Sequence, residues 1–513
     1  MALSCTGLSG ELLTACEVMA AQLNPVECTG LQYNLLGTCQ DYSSEFEKLV
    51  AAKGTDANIN TGNTAWMLVS AALVMIMTPG VALFYGGLSG EKAVSNTIMM
   101  CLGSMCVISI QWFLFGYSFA FGPGNDAFGS FAWGALVDVT GLPSGAYGGG
   151  IPHYLWVAFQ NMFAQITPAI IAGAVVGRMK FSAYIIFILI WTTVVYDPLA
   201  HWVWSLTIDS DGGIASLGWL GALGAADFAG GAVIHISSGF AALAAALVLG
   251  KRKEYEKGIK PHNIPMVLIG ATLLWFGWFG FNAGSAGGSA GATDFGEDEF
   301  NGLASTAFIN THLAACMAAF TWAILEKIFD HAPTAAGAAS GVVAGLVAIT
   351  PACGFVLPWH SVIIGAIVSP FCYGAIKLKN FLGVDDTLDA WGIHGVGGIV
   401  GAFCTGLFAT PQVNSLYAGA FYGFDLLLGY EVAACVVSAS FSFVLSLVIL
   451  LALDSTIGLR IPETAEVEGI DMSEHGGKAY DGGATTEIGF SVTPAAAEKE
   501  SAAVADASDK QDV

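Results

Sequence analysis

Eleven runs of about 20 mostly apolar residues, each long enough to cross the hydrocarbon core of a bilayer, constrain this chain more than any motif within it. They lie near residues 64–88, 95–121, 154–176, 181–204, 229–250, 263–284, 301–325, 335–351, 359–377, 390–409 and 428–453. In lipid every backbone N–H and C=O must find a partner inside the structure, so runs of this length fold as helices. Of the 513 residues 55% are hydrophobic and 11% charged, a balance that excludes an ordinary water-soluble domain. The expected fold class is an all-α integral membrane protein with eleven transmembrane helices.

The basic residues orient it. Between residues 60 and 460 every Lys and Arg falls in alternate connections: Lys92; Arg178 and Lys180; Lys251, Arg252, Lys253, Lys257 and Lys260; Lys327; Lys377 and Lys379; then Arg460. The positive-inside rule makes those connections cytoplasmic, with the N-terminus outside and the C-terminus inside. The opposite connections hold Asp126, Asp138, Asp209, Asp211, Asp294, Glu297, Asp298 and Glu299. An acidic outer face concentrates cations and repels anions; a merely solvated loop surface is the alternative.

Residues 1–60 form an expected outer head without the basic and apolar regions of a cleaved signal peptide, so the first span is expected to direct insertion. Cys5, Cys16, Cys28 and Cys39 lie in this head and allow one or two disulfides in an oxidising compartment, with the pairing open. The other seven cysteines fall in spans and read as packing residues. Residues 61–454 make up the membrane domain, 455–484 a cytoplasmic tail, and 485–513 an acidic segment with the composition of disorder.

Two segments repeat one pattern. In DFAGGAVIHISSGFAALAAALVLGKR (227–252) and DTLDAWGIHGVGGIV (386–400), Asp227 precedes His235 by eight residues and Asp386 precedes His394 by eight. Each histidine follows an isoleucine and is followed four residues later by a glycine, Gly239 or Gly398. The histidines sit in the fifth and tenth spans, which implies two five-helix units; an odd unit inserts inverted relative to its twin, with the shared site near the midplane. An ionisable group at that depth costs roughly 2.5 to 3.5 kcal/mol even on lenient scales and marks a path or relay. Four readings compete: helix packing, axial ligation of a haem, a metal path, which needs further acidic or thiol ligands at the same depth, and a pore for a small substrate that exchanges protons with imidazole. The last fits the surroundings best.

Aromatic residues indicate the substrate. FQNMFAQIT sets Phe159 and Phe163 one turn apart, HWVWS sets Trp202 and Trp204 at the outer end of the fourth span, and GWFGFNAGS carries Trp278, Phe281 and Ser285. Such residues are commonly core or interface anchors. A cation held over aromatic faces gains about 0.5 to 2 kcal/mol, and a serine hydroxyl accepts one of its protons. The combination suits a small ammonium-like cation.

With these motifs, and with PGVALFYGGL, KPHNIPMVLIGATLLWFGWFGFNAGSAG, GLVAITPACGFV, DDTLDAWGIHGVGGIVGAF and GLRIPETAEVEGIDMSEHGGKAY, the chain resembles the ammonium transporters of the Amt/Mep/Rh superfamily, specifically the Amt branch, over roughly residues 64–480. The resemblance implies a plasma-membrane homotrimer with one pore per subunit and ammonium or methylammonium as substrate. It implies no enzymatic activity, no cofactor or metal, and no nucleic-acid partner. It assigns ammonium recruitment to Phe163, Trp204 and Ser285, the gate to Phe163 and Phe281, and the pore to His235 and His394. Trp278 and Tyr85 would line the path, and Asp227 would organise the site. In the tail it implies contact with a neighbouring subunit and a kinase-regulated hydroxyl at Ser473, while Ile461, Val467, Ile470 and Met472 offer apolar docking groups. Ammonium is expected to lose its proton at the gate and cross as ammonia, because a bare cation in an apolar pore forfeits several kcal/mol or more of hydration. The chain has no TVGYG filter of a potassium channel. A sensor that signals without flux and a haem protein are the remaining alternatives.

Overall fold

Helices apolar around their whole circumference have no water face to satisfy, so they gather side by side and leave their ends to polar connections. The computed structural model describes residues 59–480 apart from Gly145, Gly149, 209–213, Glu254, Ile259, 288–296 and Asp425. The head with Cys5, Cys16, Cys28 and Cys39, the acids Asp209, Asp211 and Asp294, the side chains of Glu297, Asp298 and Glu299, and segment 485–513 lie outside the described residues. In chain order the spans are α1 (Thr61–Leu88), α2 (Glu91–Phe121), α3 (His153–Val175), α4 (Phe181–Trp204), α5 (Gly231–Leu249), α6 (Ile264–Gly287), α7 (Gly302–Phe329), α8 (Ala335–Ile349), α9 (Pro358–Leu382), α10 (Trp391–Phe408) and α11 (Leu426–Thr456). All except α8 are long and apolar enough to cross a bilayer. A two-stranded antiparallel hairpin, Leu206–Ile208 with Ile214–Ser216, follows α4.

Two of the expected spans differ in length. The run at 335–351 forms a helix of 15 residues, about 22 Å at 1.5 Å per residue and short of the roughly 30 Å core. After Pro351 the chain turns while still buried, and Asn310 of α7 donates to the carbonyls of Cys353 and Val356 that this turn leaves open. Irregular backbone at that depth is tolerated because protein surrounds it. The run at 359–377 continues to Leu382, because Lys377 pairs with Asp330 at 2.7 Å and Lys379 with Asp389 at 2.8 Å. Gly383, at φ 71°, then ends the helix. Five of the seven cysteines in spans are buried; Cys106 and Cys316 are exposed, contrary to a packing role within the chain.

The connections that carry the basic residues meet at one end of the bundle, and the tail binds them. Lys180 N donates to Leu459 O and Ile461 N to Arg178 O. Arg460 donates to the carbonyls of Leu249 and Lys251. Two short helices follow, α12 (Glu463–Glu468) and α13 (Ile470–His475). Asp471 accepts from Ser95 N and Asn96 N at 3.0 and 2.7 Å at the start of α2, and Glu474 accepts from Phe181 N at 2.8 Å at the start of α4. The tail therefore caps two helix N-termini with its own carboxylates. Ile461 and Ile470 are buried, whereas Val467 and Met472 are more than half exposed and do not dock. The tail is held mainly by hydrogen bonds, so fewer apolar anchors are needed than its sequence offers.

Helices α5 and α10 cross at their glycines. A Cβ on Gly239 would strike the backbone of Gly395, and one on Gly398 would lie 3.2 Å from His235 Cβ. Each glycine thus packs on the helix that carries the other repeat's histidine. Gly239→Leu is expected to force the two helices apart, an overpacking cost of about 1 to 3 kcal/mol or more. Gly429→Leu, at a position where an added Cβ meets nothing within 4 Å, should be neutral. Thermal unfolding of the two purified variants in one detergent checks this; equal midpoints would contradict the close crossing.

Candidate functional site

A helix that starts among other helices has four N–H groups and no water to bond them. Asp227 meets that need for α5: one carboxylate oxygen accepts from Gly230 N and Gly231 N at 2.8 and 2.6 Å, the other from Ala232 N and Val233 N at 2.8 and 3.2 Å. Asp386 does the same for α10, accepting from Ala390 N and Trp391 N at 3.0 and 2.8 Å. Both aspartates are buried. Each helix opens with a wide π-turn, Gly231–Ile236 and Trp391–Gly395, and each π-turn carries the histidine. Such turns concentrate at functional sites because they re-aim side chains that a regular helix would direct elsewhere.

The two imidazoles face each other with their Nδ1 atoms 3.2 Å apart and ring centres 5.3 Å apart. That is hydrogen-bond distance, with one nitrogen donating and the other accepting. The trans axial ligands of a haem iron, at about 2.0 to 2.1 Å per metal–imidazole bond, would stand roughly 4 Å apart with a macrocycle between them, and this pair leaves room for neither. His235 Nε2 is buried without a hydrogen-bond partner among the described residues. The Trp278 indole stacks on the His235 ring at 5.4 Å and is fixed by donating its N–H to Thr350 Oγ1 at 2.8 Å.

A narrow cavity of about 10 Å³, room for about one water molecule, runs beside the pair. Its lining includes Tyr85, Ile170, Leu274, Trp278, Phe281 and both histidines, so apolar groups dominate it. Tyr85 donates its hydroxyl to Ile170 O at 3.2 Å. Phe281 stands between this cavity and Phe163, with ring centres 6.2 Å from His235 and 4.3 Å from Phe163. The two phenyl planes are tilted by 36° instead of lying parallel. Beyond them, Trp204 meets Phe163 edge-on at 6.3 Å and donates its indole N–H to Asp227 O at 2.9 Å. Ser285 donates to Phe281 O at 2.8 Å, which leaves its oxygen lone pairs as acceptors.

The residues singled out in the sequence thus form one continuous line: Trp204 and Phe163, then Phe281, then His235, Trp278 and His394, with Tyr85 beside the cavity. Phe159 lies behind Phe163 at 4.8 Å. Trp202 points away, donating to Ala127 O and packing on Trp219 and Phe441. Thr350, Ile170 and Leu274 carry no sequence signal, because a threonine or an aliphatic residue in an apolar run looks the same wherever it faces. Asp197 did carry one, as a lone acid within the fourth span. It is buried, and one of its oxygens accepts from Gln111 Nε2 at 2.6 Å.

A model described as the Ammonium Transporter Family matches residues 65–480. An ammonium transporter of Bacillus subtilis (strain 168) is 46% identical over 421 residues, covering 82% of this chain and 98% of that protein. An ammonium transporter of Aquifex aeolicus (strain VF5) is 46% identical over 435 residues, covering 84% of this chain and 96% of that protein. Among solved structures, Candida albicans Mep2 superposes with a TM-score of 0.72 at 35% identity, covering 81% of this chain and 92% of that one.

The two capping aspartates are unequal, with four accepted bonds against two. Asp227→Ala and Asp386→Ala should both destabilise the protein by at least the 0.5 to 2 kcal/mol typical of a lost cap, about or above the upper end for Asp227 because its four N–H groups are all buried. Thermal midpoints of the purified variants test the order; a larger loss for Asp386→Ala would show that bond number does not set the effect.

Proposed function

Because the chain belongs to the Ammonium Transporter Family, we propose that it is a multi-pass plasma-membrane transporter that recruits ammonium at an outer aromatic site, removes its proton and conducts ammonia past two histidines. The observation that carries this reading is the imidazole pair, 3.2 Å between Nδ1 atoms, beside an apolar cavity lined by Phe281, on which Phe163 packs. Trp204 and Phe163 offer aromatic faces to a cation, and Ser285 offers an acceptor. Below the phenyl pair the lining has no carboxylate, so a charged ammonium would enter without a counter-ion. A neutral ammonia molecule needs only a donor or acceptor, and the imidazoles supply both. Two charged imidazoles at this separation would repel strongly in such surroundings, so the pair shares protons as one unit.

The topology belongs to the same proposal. Ten helices cross the membrane in full and α8 crosses together with the buried turn that follows it, the basic end with the tail is cytoplasmic, and the acidic connections are outside. The paired Asp–His–Gly pattern, with each glycine seated on the opposite histidine's helix, supports two inverted five-helix units. The homotrimer is part of this proposal, and a subunit interface on this face is supported by His312, an ionisable side chain exposed well inside α7, with Trp275 of α6 stacked on it at 5.3 Å. Facing lipid, such a group is costly; facing another subunit, it is not.

Ser473 is exposed on α13, its hydroxyl donating to Ile470 O. A phosphate there would add roughly −1.5 to −2 charge beside Asp471 and Glu474, whose carboxylates already occupy the N–H groups at the starts of α2 and α4. It would be repelled by both carboxylates, so a kinase acting on Ser473 would release the tail and close the pores. Ser473→Asp is expected to lose most transport while Ser473→Ala retains it; equal transport by both at equal surface expression would remove the switch.

The pore itself is tested by electrical recording in oocytes with ammonium, methylammonium and potassium. His235→Ala or His394→Ala should abolish ammonium conduction or make it unselective. Trp204→Leu should weaken apparent ammonium affinity by about five- to thirtyfold, the equivalent of about 1 to 2 kcal/mol, while potassium stays excluded. Unchanged rate and selectivity in both histidine variants would overturn the pore assignment, and an unchanged concentration dependence in Trp204→Leu would overturn the recruitment site.

A further inference from the structure

The basic run KRKEYEKGIKPHN, residues 251–263, has no part in the pore reading, and the positive-inside rule accounts for its charge but not for its shape. Arg252, Lys253, Lys257 and Lys260 line a half-open cavity of about 450 Å³, together with backbone at Gly90 and Gly177 and the tail residue Glu466. The volume is that of a small-ligand site. It lies between the α1–α2, α3–α4 and α5–α6 connections at the end of the bundle where the tail docks.

Arg252 is the least satisfied cation of this wall. One of its nitrogens pairs with Asp385 at 3.0 Å, but its Nε and Nη1 are buried with no hydrogen-bond partner among the described residues. Burial pushes its guanidinium below the ordinary arginine value, with Asp385 opposing that shift. Asp385 is itself shared, because Arg178 Nη1 lies 4.0 Å from it. Lys260 is exposed and has no ion-pair partner among the described residues. The acid that does reach the cavity, Glu466, is committed to Arg460 through bonds of 2.7 and 3.1 Å. Lys253 pairs with Glu463 at 2.6 Å, yet cations outnumber acids on the described wall, where Arg252, Lys253, Lys257 and Lys260 face Glu466 alone.

We propose that this cavity binds a phosphate group, carried by a soluble phosphate ester or by the headgroup of an anionic phosphoinositide. Phosphate matches the wall because its several acceptor oxygens can take the lysine ammoniums together while the Arg252 guanidinium adds its positive charge behind them. Glu466 sets a negative charge at the edge of the cavity, so it opposes a bound phosphate while its own bonds go to Arg460. Removing that carboxylate should strengthen binding, whereas removing a lysine should weaken it, and these opposite signs separate a site from general attraction to a basic face.

The test uses the full chain in phosphatidylcholine nanodiscs and reads the rise of the thermal midpoint as a binding isotherm. One arm titrates inorganic phosphate and pyrophosphate against sodium chloride of matched ionic strength. The other replaces part of the lipid with phosphatidylinositol 4-phosphate. Arg252 is left intact because its contact with Asp385 makes a variant prone to misfold. The wild type should show a saturable rise that chloride does not reproduce. Lys253→Gln with Lys260→Gln should weaken it about tenfold or more, the loss expected for charge-assisted hydrogen bonds, and Glu466→Gln should tighten it. Saturation in the first arm identifies a soluble ester and saturation only in the second a lipid headgroup. No saturable rise in either arm, an equal rise with chloride, or an unchanged isotherm in the double lysine variant overturns the proposal.

Discussion

Helices α5 and α10 both begin buried, and a helix start without water leaves N–H groups that something inside the protein must accept. The carboxylates of Asp227 and Asp386 are that acceptor, and much of the central geometry follows from them. An aspartate fixed to the first turn sets where the helix starts, and the π-turn that follows sets which way its histidine points. Asp227 reaches further, because its carbonyl holds the Trp204 indole. One residue therefore connects the outer aromatic pair to the helix that carries His235. A position that looks like an expensive buried charge is a structural hub whose charge is solvated by backbone dipoles.

The two histidine helices could not deliver their side chains to one point if their axes stood at ordinary spacing. Glycine four residues after each histidine removes the side chain that would hold them apart, and a Cβ on Gly239 would strike the backbone of Gly395. Small residues at a crossing are the usual means by which helices in lipid gain contact, since lipid gives them no hydrophobic reason to associate. Here the contact also sets the geometry of the histidine pair. It brings Nδ1 within hydrogen-bond distance of Nδ1, while Trp278, anchored on Thr350, keeps the first ring from rotating away.

Much of this was legible in the sequence for identifiable reasons. Apolar length located the spans, and the eight-residue Asp-to-His spacing with its trailing glycine exposed the repeat, because those residues are rare in apolar runs. The spacing showed that Asp386 was the twin of Asp227 but not that both were caps, since capping depends on the turn taken by the intervening residues. The early end of α8 was hidden because Val347 through Pro351 read as a continuing apolar run, and only the carbonyls taken by Asn310 reveal the buried turn. Val467 and Met472 misled for the opposite reason. Apolar residues in a polar tail suggest docking, yet this tail is fixed by Asp471, Glu474 and Arg460, whose partners are backbone groups far away in sequence.

The basic end follows the same rule as the centre, that backbone and charge are satisfied across elements and seldom within them. Arg178, wholly buried and pushed down to about 10 by that burial, gives its hydrogens to Thr387 Oγ1 and Asp385 O and ties the α3–α4 connection to the α9–α10 connection. Asp385 joins Arg252 of the α5–α6 connection to the same point. The tail then adds Arg460 on the carbonyls that end α5 and Asp471 on the N–H groups that begin α2. Four connections and the tail therefore share one polar layer beneath the helices. Because α10 enters this layer through Asp385 and Asp386, a change in tail docking has a covalently short route to the turn that holds His394. Among the described residues the tail touches neither histidine, yet it is bonded into the layer in which α5 ends and α10 begins.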